Sequence, residues 1–268
     1  MTRLTQDDLW GVGLKLADYD LSLIAKTNLS LKQIACHASG IKVNIFNDKS
    51  QGNLIAVIPI SGGEGLIDGF TQSVCSIIQY LGFKAFITEE TDVSGIAEGI
   101  AKEADILFMA DDNRFIAFDK RKGNVIDNAK ATGRGYASAL NGMAGGLSGK
   151  EVLVIGAGKV GTYAIEYFNE LQAKIAVLDI NPEKTKNLSK DISIELNFRE
   201  ILPKYKYILE ATPQGGGLKL ELLHPEAVIA APGIPMGLSP EAYEVFSNKV
   251  VHDPLQIGVA TMLAMVLL

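Results

Sequence analysis

Cysteine and histidine are scarce in this chain, and their scarcity argues against several kinds of functional site. Among 268 residues there are two cysteines and three histidines. Cys36 and Cys75 fit neither a disulfide framework nor a zinc-binding spacing, so we predict that each is a small core residue rather than a nucleophile. His37 precedes the first predicted strand, and His224 and His252 fall in turns, so we predict structural roles for all three. Nothing in the sequence predicts a metal site.

Long basic runs and long apolar runs are also missing. The net charge is −6, and no basic run exceeds residues 120–122, so we expect neither nucleic acid nor an anionic membrane as a partner. The apolar run at residues 257–268 is too short to span a bilayer and predicts a buried C-terminal helix. Residues 1–8 are charged and polar, so we expect no signal peptide and a cytoplasmic location.

The first half of the chain alternates between strand and helix patterns. Apolar runs at residues 54–60, 84–88 and 106–110 predict three strands, and helical periodicity at 66–81 and 93–103 separates them. Such alternation implies right-handed crossovers and a small parallel sheet. We therefore predict an α/β unit before the middle of the chain.

A glycine-rich turn follows in the second half. The apolar run at residues 152–155 predicts a buried strand, and Gly156, Gly158 and Gly161 after it have the G-x-G-x-x-G spacing. In this motif the first glycine makes the tight turn, the second lets a pyrophosphate approach the backbone, and the third lets helix and strand pack closely. The N–H groups at the start of the next helix favour a phosphate. The predicted cofactor contacts in this turn are Gly156, Gly158, Lys159, Val160 and Gly161.

An acidic residue completes the dinucleotide motif. Asp179 ends a second apolar strand at residues 174–178, where a carboxylate accepts hydrogen bonds from the adenosine ribose. A carboxylate suits a free 2′-hydroxyl and repels a 2′-phosphate, so we expect NAD as the cofactor. Lys184 and Lys186 keep NADP open as an alternative.

Two later strands end in proline-containing turns. The strands predicted at residues 205–209 and 227–231 lead into residues 210–213 and 232–235, which we expect near the nicotinamide. Proline fixes the backbone shape in both turns, so a purely structural role stays open. The candidate cofactor contacts here are Ala211, Thr212, Pro213, Pro232 and Gly233.

These patterns together predict the fold class and the domain boundary. The fold is α/β, with a small N-terminal α/β domain containing a parallel sheet and a C-terminal Rossmann dinucleotide-binding domain. We place the first domain at residues 1–148, as the substrate-binding part, and the second at residues 149–268.

Polar segments follow all three strands of the first domain. They are residues 61–65, 89–92 and 111–113, and chain direction places them on one edge of a parallel sheet. We interpret this edge as a substrate site, although solvated loops would have the same composition. The paired acids Asp111 and Asp112 favour a cationic ligand, and Ser61 with the backbone of Gly62 could hold a polar end of it.

The shikimate dehydrogenases and the methylenetetrahydrofolate dehydrogenases have a similar length and the same order of domains, an N-terminal α/β unit followed by a Rossmann domain. The shikimate enzymes take a catalytic lysine from an Asn-Val-Thr-x-Pro-x-Lys segment. That segment is not present in this sequence, and Lys84 lies at the wrong end of its strand.

The chain resembles the pyrrolysine synthase family from end to end. The resemblance is carried by Leu4-Thr5 with Asp8-Leu9, Ile58-Pro-Ile-Ser-Gly-Gly-Glu-Gly65 with Phe70, Gly82-Phe83 with Phe86-Ile87-Thr88, Asp92-Val-Ser-Gly95, Met109-Ala-Asp-Asp-Asn113 with Phe115, Gly156 to Gly161, Glu210-Ala-Thr-Pro213, Pro232-Gly-Ile-Pro235, and Pro254-Leu255 with Ile257-Gly258 and Met262-Leu263. The segment between Lys120 and Gly145 matches the family poorly.

The resemblance implies an NAD-dependent enzyme acting on a CH–NH2 group. It implies oxidation of the ornithine side-chain amine of L-lysine-Nε-3-methyl-D-ornithine, then loss of ammonia and closure of the pyrroline ring to give pyrrolysine. It further implies that the helix capped at Thr5 is a lid, with Leu4 over the substrate, and that Phe70 belongs to the substrate site.

Two alternatives remain beside this interpretation. One is an NAD-dependent oxidoreductase of another small amino acid or imine, and the other is a non-catalytic NAD-sensing module. In each case we expect a small-molecule ligand, and for the enzyme a homodimer.

Overall fold

Eleven strands in two sheets run through residues 4–268, the part of the chain that the computed structural model describes. The strands are β1 Leu54–Ile58, β2 Lys84–Ile87, β3 Ile106–Ala110, β4 Phe115–Asp119, β5 Asn124–Asp127, β6 Glu151–Ile155, β7 Lys174–Leu178, β8 Ser193–Glu195, β9 Tyr207–Glu210, β10 Val228–Ala230 and β11 Val250–Val251.

Helices connect and cover these strands. They are α1 Gln6–Leu9, α2 Leu16–Thr27, α3 Leu31–Ser39, α4 Val43–Gly52, α5 Phe70–Tyr80, α6 Asp92–Ala101, α7 Asn128–Met143, α8 Lys159–Glu170, α9 Phe198–Ile201, α10 Pro240–Phe246 and α11 Gln256–Val266.

The first sheet has the order β2-β1-β3-β4-β5. The three predicted strands are confirmed, and β1 pairs in parallel with β2 and with β3. The sequence did not predict β4 and β5, which add an antiparallel hairpin. In β4 the buried residues Phe115, Ala117 and Asp119 alternate with half-buried ones, the pattern of a strand with one face on the core.

The second sheet has the order β11-β10-β9-β6-β7-β8, and its strands are parallel throughout. Sequence order starts at β6 in the middle, runs outward through β7 and β8, and then returns to the other side of β6. This is the strand order of a doubly wound Rossmann sheet, in which ligands bind where the order reverses, between β6 and β9. The predicted fold class is confirmed.

The structure divides the chain differently from the boundary that we predicted at residues 148 and 149. One compact unit holds residues 4–21, 31–132 and 254–268, and the other holds residues 22–30 and 133–253. The change of unit at residues 132 and 133 lies inside α7.

The C-terminal helix explains one part of this difference. Every residue of α11 is buried, so this helix needs apolar partners on all sides. It finds them in α3, α5 and the β4–β5 hairpin of the first unit. The prediction that the C-terminal run is a buried helix is therefore confirmed, but the helix belongs to the other unit.

The N-terminal helix α1 has a single turn. Thr5 caps it as expected, because its hydroxyl accepts a hydrogen bond from the N–H of Asp8 while the Asp8 carboxylate accepts one from the N–H of Thr5. The chain then leaves the helix after one turn, and Gly11 has a φ of 75°, a left-handed conformation that favours glycine.

Candidate functional site

The carboxyl ends of β1, β2 and β3 bring three polar segments together. We call residues 59–65, 88–92 and 111–114 the acidic edge. Ser61 donates its N–H to Asp92 Oδ1 over 2.8 Å, which joins the first segment to the second. Glu64 donates its N–H to Asp112 Oδ2 over 2.8 Å, which joins the first to the third. The predicted clustering of these segments is confirmed, and their contact with a substrate stays a prediction.

Asp92 lies in the predicted polar segment at residues 89–92, but the sequence pattern predicted no role for this residue by itself. Its carboxylate accepts hydrogen bonds from the hydroxyl of Ser61 and, at 2.9 Å, from that of Thr91. The Ser61 hydroxyl and N–H, the Thr91 hydroxyl and the Gly62 N–H together hold the pKa of Asp92 below its usual range. Its backbone has a φ of 54°, a conformation that Asp and Asn tolerate better than most residues.

Asp111 and Asp112 lie in the turn between β3 and β4, and both are exposed. Asp111 Oδ1 accepts N–H bonds from Asn113 at 2.8 Å and from Arg114 at 2.7 Å. These two N–H groups, that of Arg114 first, lower the pKa of Asp111. Asp112 lies over the glycine-rich segment, where a Cβ on Gly63 would collide with its carboxylate. Both carboxylates therefore stabilise the loops around them, in addition to the predicted contact with a cation.

The remaining predicted substrate residues are half-buried. Phe70 begins α5, and its ring packs edge-on against Phe115 with 5.3 Å between centroids. Leu4 precedes α1. Beside α1, a cavity of about 380 Å³ is lined by residues of α1, of the following turn and of the start of α5, among them Leu9, Trp10 and Gln72.

The carboxyl ends of β6, β7, β9 and β10 form a second candidate site. We call residues 156–161, 179, 210–213 and 232–235 the glycine edge. Gly156 has a φ of 94°, and a Cβ there would lie 2.8 Å from the carbonyl oxygen of Ala211. A Cβ on Gly161 would collide with the carbonyl of Gly156. These two glycines have the turn and packing roles that the motif requires.

Gly158 tests whether a dinucleotide fits this edge. Its φ of −74° is open to any residue, and a Cβ there would have nothing within 4 Å. Neither backbone conformation nor packing therefore requires a glycine. Gly158 is the N-cap of α8 and has no side chain to offer the first N–H groups at Lys159 and Val160. Those N–H groups and the open space above them fit a pyrophosphate.

Asp179 lies at the end of β7, as predicted, and its side chain is only 4% exposed. Its Oδ2 accepts the N–H of Ala157 at 2.6 Å, and its Oδ1 accepts the N–H of Asn181 at 2.8 Å. The carboxylate thus holds the glycine-rich turn in addition to its predicted ribose contact. Lys184 Nζ lies 3.9 Å from Oδ2.

Glu210 lies in the predicted segment at residues 210–213, but the sequence pattern predicted no role for this residue by itself. It ends β9 and is 1% exposed. Burial raises the pKa of its carboxyl to about 7, against the opposing effect of hydrogen bonds from Thr212 and from the N–H of Gly237. A Cβ on Gly233 or on Gly237 would meet this carboxyl. Glu210 therefore sets the shape of both turns that contain the predicted contacts at residues 211–213 and 232–233.

Within residues 4–268, no three His, Cys, Asp or Glu side chains gather as a metal site would require. Over the same range, no helix has the length and apolar character needed to cross a membrane. Cys36 and Cys75 are buried, as predicted, and burial raises the pKa of both thiols, that of Cys36 to about 11.

Comparison with curated proteins decides the family. The chain is 32% identical over 268 residues to a pyrrolysine synthase of Methanosarcina barkeri, covering 100% of this chain and 98% of that protein. The chain belongs to the pyrrolysine synthase family. A pyrrolysine synthase of Methanosarcina acetivorans is 29% identical over 267 residues, with all of both chains covered.

Two family models match successive parts of this member of the pyrrolysine synthase family. Residues 14–126 match the N-terminal domain of pyrrolysine biosynthesis protein PylD. Residues 125–242 match the C-terminal domain of the alanine dehydrogenase/PNT family. The chain is therefore an oxidoreductase-type enzyme of pyrrolysine biosynthesis.

Solved structures share the fold at low sequence identity. A quinate dehydrogenase from Corynebacterium glutamicum, in complex with NAD, has a TM-score of 0.52 and 10% identity, covering 80% of this chain and 93% of that one. A bifunctional 5,10-methylenetetrahydrofolate dehydrogenase/cyclohydrolase from Thermoplasma acidophilum has a TM-score of 0.52 and 11% identity, covering 87% and 94%. These two likenesses show the shared fold.

Asp92 and Glu210 had a weak signal in the sequence of this family member. Both lie in motifs that carry the resemblance, and both come just after or at the end of a predicted strand. Nothing in the one-dimensional pattern indicated that Asp92 would bond to Ser61, 31 positions away, or that Glu210 would be buried.

Proposed function

We propose that the chain oxidises the ornithine side-chain amine of L-lysine-Nε-3-methyl-D-ornithine with NAD and so forms pyrrolysine. The observation that carries this proposal is the glycine edge, where an open Gly158 and an uncapped start of α8 meet at the switch point of a Rossmann sheet. Membership of the pyrrolysine synthase family supplies the substrate class.

The glycine edge gives each of its residues a task. When bound, NAD would supply the hydride acceptor. The N–H groups from Lys159 to Gly161 hold the pyrophosphate, and Asp179 binds the adenosine ribose while it fixes the N–H of Ala157. A 2′-phosphate would meet the negative charge of Asp179, which favours NAD over NADP.

The acidic edge suits the cationic substrate. Asp111 and Asp112 are exposed carboxylates that attract ammonium groups, and Ser61 holds a polar group of the same molecule. An ammonium must lose a proton before its carbon can lose hydride, so a proton acceptor near this edge is required. By the family resemblance, Leu4 and α1 close over the substrate and exclude water.

The remaining chemistry balances without another reactant. Loss of hydride and a proton converts the amine to an imine, and water then releases ammonia and leaves an aldehyde. The aldehyde condenses with the ornithine α-amine and returns one water molecule. The product therefore lacks two hydrogens and one ammonia relative to the substrate.

Mass spectrometry of the purified protein with NAD and the lysine–methylornithine amide tests the proposal. We expect a product with that mass difference, formed in step with NADH absorbance. Replacing NAD with NADP should slow product formation strongly. NADH formation with other amines but not with this amide would favour a different amino-acid oxidoreductase, and no NADH with any amine would favour an NAD-sensing module.

A further inference from the structure

The hydroxyl proton of Ser61 has a fixed direction. Ser61 Oγ donates to Asp92 Oδ2, and the neighbouring N–H of Ser61 donates to Oδ1 of the same carboxylate. An ionised carboxylate only accepts hydrogen bonds, and Asp92 is held in this form by its donors. The Ser61 proton is therefore committed to Asp92, and only the lone pairs of its oxygen are available to a ligand.

We propose that Asp92 is a positioning residue that makes Ser61 a hydrogen-bond acceptor for an ammonium group of the substrate. The inference rests on the proposed function in one respect, that Ser61 contacts the substrate. Ser61 is exposed at the acidic edge, so its lone pairs are accessible. A serine hydroxyl ordinarily both donates and accepts, and Asp92 removes the donating choice. The pair thereby selects a cation and disfavours a carboxylate at this position.

The environment of Asp92 fixes the orientation of its carboxylate. Thr91 Oγ1 donates to Oδ2 over 2.9 Å, so Oδ2 receives two hydroxyl protons, and Oδ1 faces the N–H of Ser61. The N–H of Asp92 itself bonds to the carbonyl of Pro59 over 2.9 Å. These bonds tie the backbone of the residue to the same segment that carries Ser61.

Asp92→Asn should reverse the polarity of Ser61. The amide oxygen of Asn has to remain beside the N–H of Ser61, because an amide nitrogen there would oppose one donor to another. The amide nitrogen then occupies the place of Oδ2 and donates to the hydroxyl oxygens of Ser61 and Thr91. Ser61 releases its proton toward the ligand and repels an ammonium. Asn tolerates the positive φ at this position, so we expect the variant to fold.

Calorimetric titration of the lysine–methylornithine amide, with NADH present to prevent turnover, tests the inference. We expect Asp92→Asn and Ser61→Ala each to weaken binding about tenfold, the usual scale for a hydrogen bond to a charged group. Asp92→Asn in the Ser61→Ala background should change binding less than about twofold, because Asp92 acts through Ser61. Unchanged binding in Asp92→Asn, or an equal loss in both backgrounds, overturns the inference.

Glu98→Gln is a matched control on the same helix. Glu98 also accepts backbone N–H groups of the segment after β2, those of Glu89 at 3.2 Å and Glu90 at 2.9 Å. Its replacement disturbs α6 in a similar way without contact to Ser61, and we expect binding to change little. A tenfold loss in this variant would mean that the effect of Asp92→Asn is general to the helix, which overturns the inference.

Two further measurements keep the outcomes separate. If Asp92→Asn yields no folded protein, the wild type and Ser61→Ala are compared on the amide and on an analogue with methyl in place of the side-chain ammonium. Ser61→Ala should weaken the binding of the charged ligand only, and equal effects on the binding of both ligands overturn the inference.

NADH formation by the wild type is measured in parallel. If ligand binding depends on Asp92 but the wild type forms no NADH, only the proposed function is overturned. If the wild type forms NADH but ligand binding does not depend on Asp92, only this inference is overturned.

Discussion

The acidic edge and the glycine edge occupy the same kind of position, at the carboxyl ends of parallel strands, yet we expect them to bind ligands of opposite charge. On the acidic edge, Asp92 and Asp111 are exposed or half-buried and have lowered pKa values because N–H and O–H groups point at them. On the glycine edge, Glu210 is buried and its pKa is raised to about 7. The same functional group is thus ionised at neutral pH in one place and about half protonated in the other.

The difference shows that the residues after a strand decide what its end can bind. Where glycine and a helix start follow the strand, free N–H groups and space favour a phosphate. Where serine and aspartate follow, the N–H groups are used internally and the carboxylates favour a cation. Four predictions test this contrast, from the largest expected effect to the smallest.

Gly158→Val should abolish dinucleotide binding while the fold remains. A Cβ here would have no protein atom within 4 Å, and the methyl groups of valine would occupy the space of the pyrophosphate. Fluorescence titration with NADH measures the effect. Gly52→Val, another glycine whose Cβ would enter open space, is the matched control in the first unit. Unchanged NADH affinity in a folded Gly158→Val protein would mean that the glycine motif only forms a turn and does not bind the dinucleotide.

Glu210→Gln should flatten the dependence of stability on pH. Between the unfolded pKa of 4.5 and the folded pKa of about 7, the folded chain keeps a proton that the unfolded chain has lost. The contribution of Glu210 to the free energy of unfolding is therefore fully present below pH 4.5 and is lost as the pH rises through about 7. The loss amounts to about 3 kcal/mol. Gln cannot titrate, so urea unfolding at pH 5 and pH 8 should differ less in the variant. Equal differences in both proteins would contradict the raised pKa of Glu210.

Asp179→Ala combined with Ile180→Arg should narrow the preference for NAD over NADP, by at least about tenfold. The variant loses the carboxylate that would accept hydrogen bonds from the ribose. It gains a cation for the 2′-phosphate at position 180, where the native Ile180 is 95% exposed. Titration with both dinucleotides measures the ratio, with Ile180→Arg alone as control. Because Asp179 also holds the N–H of Ala157, we expect weaker NAD binding as well. Equal affinities for NAD and NADP in the wild type would remove Asp179 from cofactor choice.

Asp112→Asn should raise KM and lower kcat severalfold, with a smaller effect in Asp111→Asn. Asparagine keeps an acceptor for the N–H of Glu64 but removes the charge that orients an ammonium, so the geometry of attack suffers. Asp111 is more occupied with its own turn. Steady-state kinetics with thermal melts measure both. Wild-type kinetics with lowered melting temperatures would mean that the acids only stabilise the turn.

The sequence predicted the second unit better than the first. Gly156, Gly161 and Asp179 have local roles that follow from spacing alone, because the motif acts within one strand–turn–helix–strand unit. The β4–β5 hairpin was not predicted, although β4 is strongly apolar, because β5 has only two apolar residues and an apolar run by itself does not specify the strand with which it pairs. The C-terminal helix was predicted as buried but assigned to the wrong unit, since a pattern that is apolar all round does not specify its neighbours.

What the sequence by itself determined is what depends on neighbours along the chain: most of the strands, the capped start at Thr5, the glycine-rich turn and the identity of the family. What only the tertiary structure decided depends on residues distant in sequence. The bond between Ser61 and Asp92, the bridge from Asp112 to Glu64 and the burial of Glu210 arise when parallel strands bring separate turns to one edge. Hydrogen-bond direction and pKa are set there, because both depend on which atoms meet rather than on the order of residues.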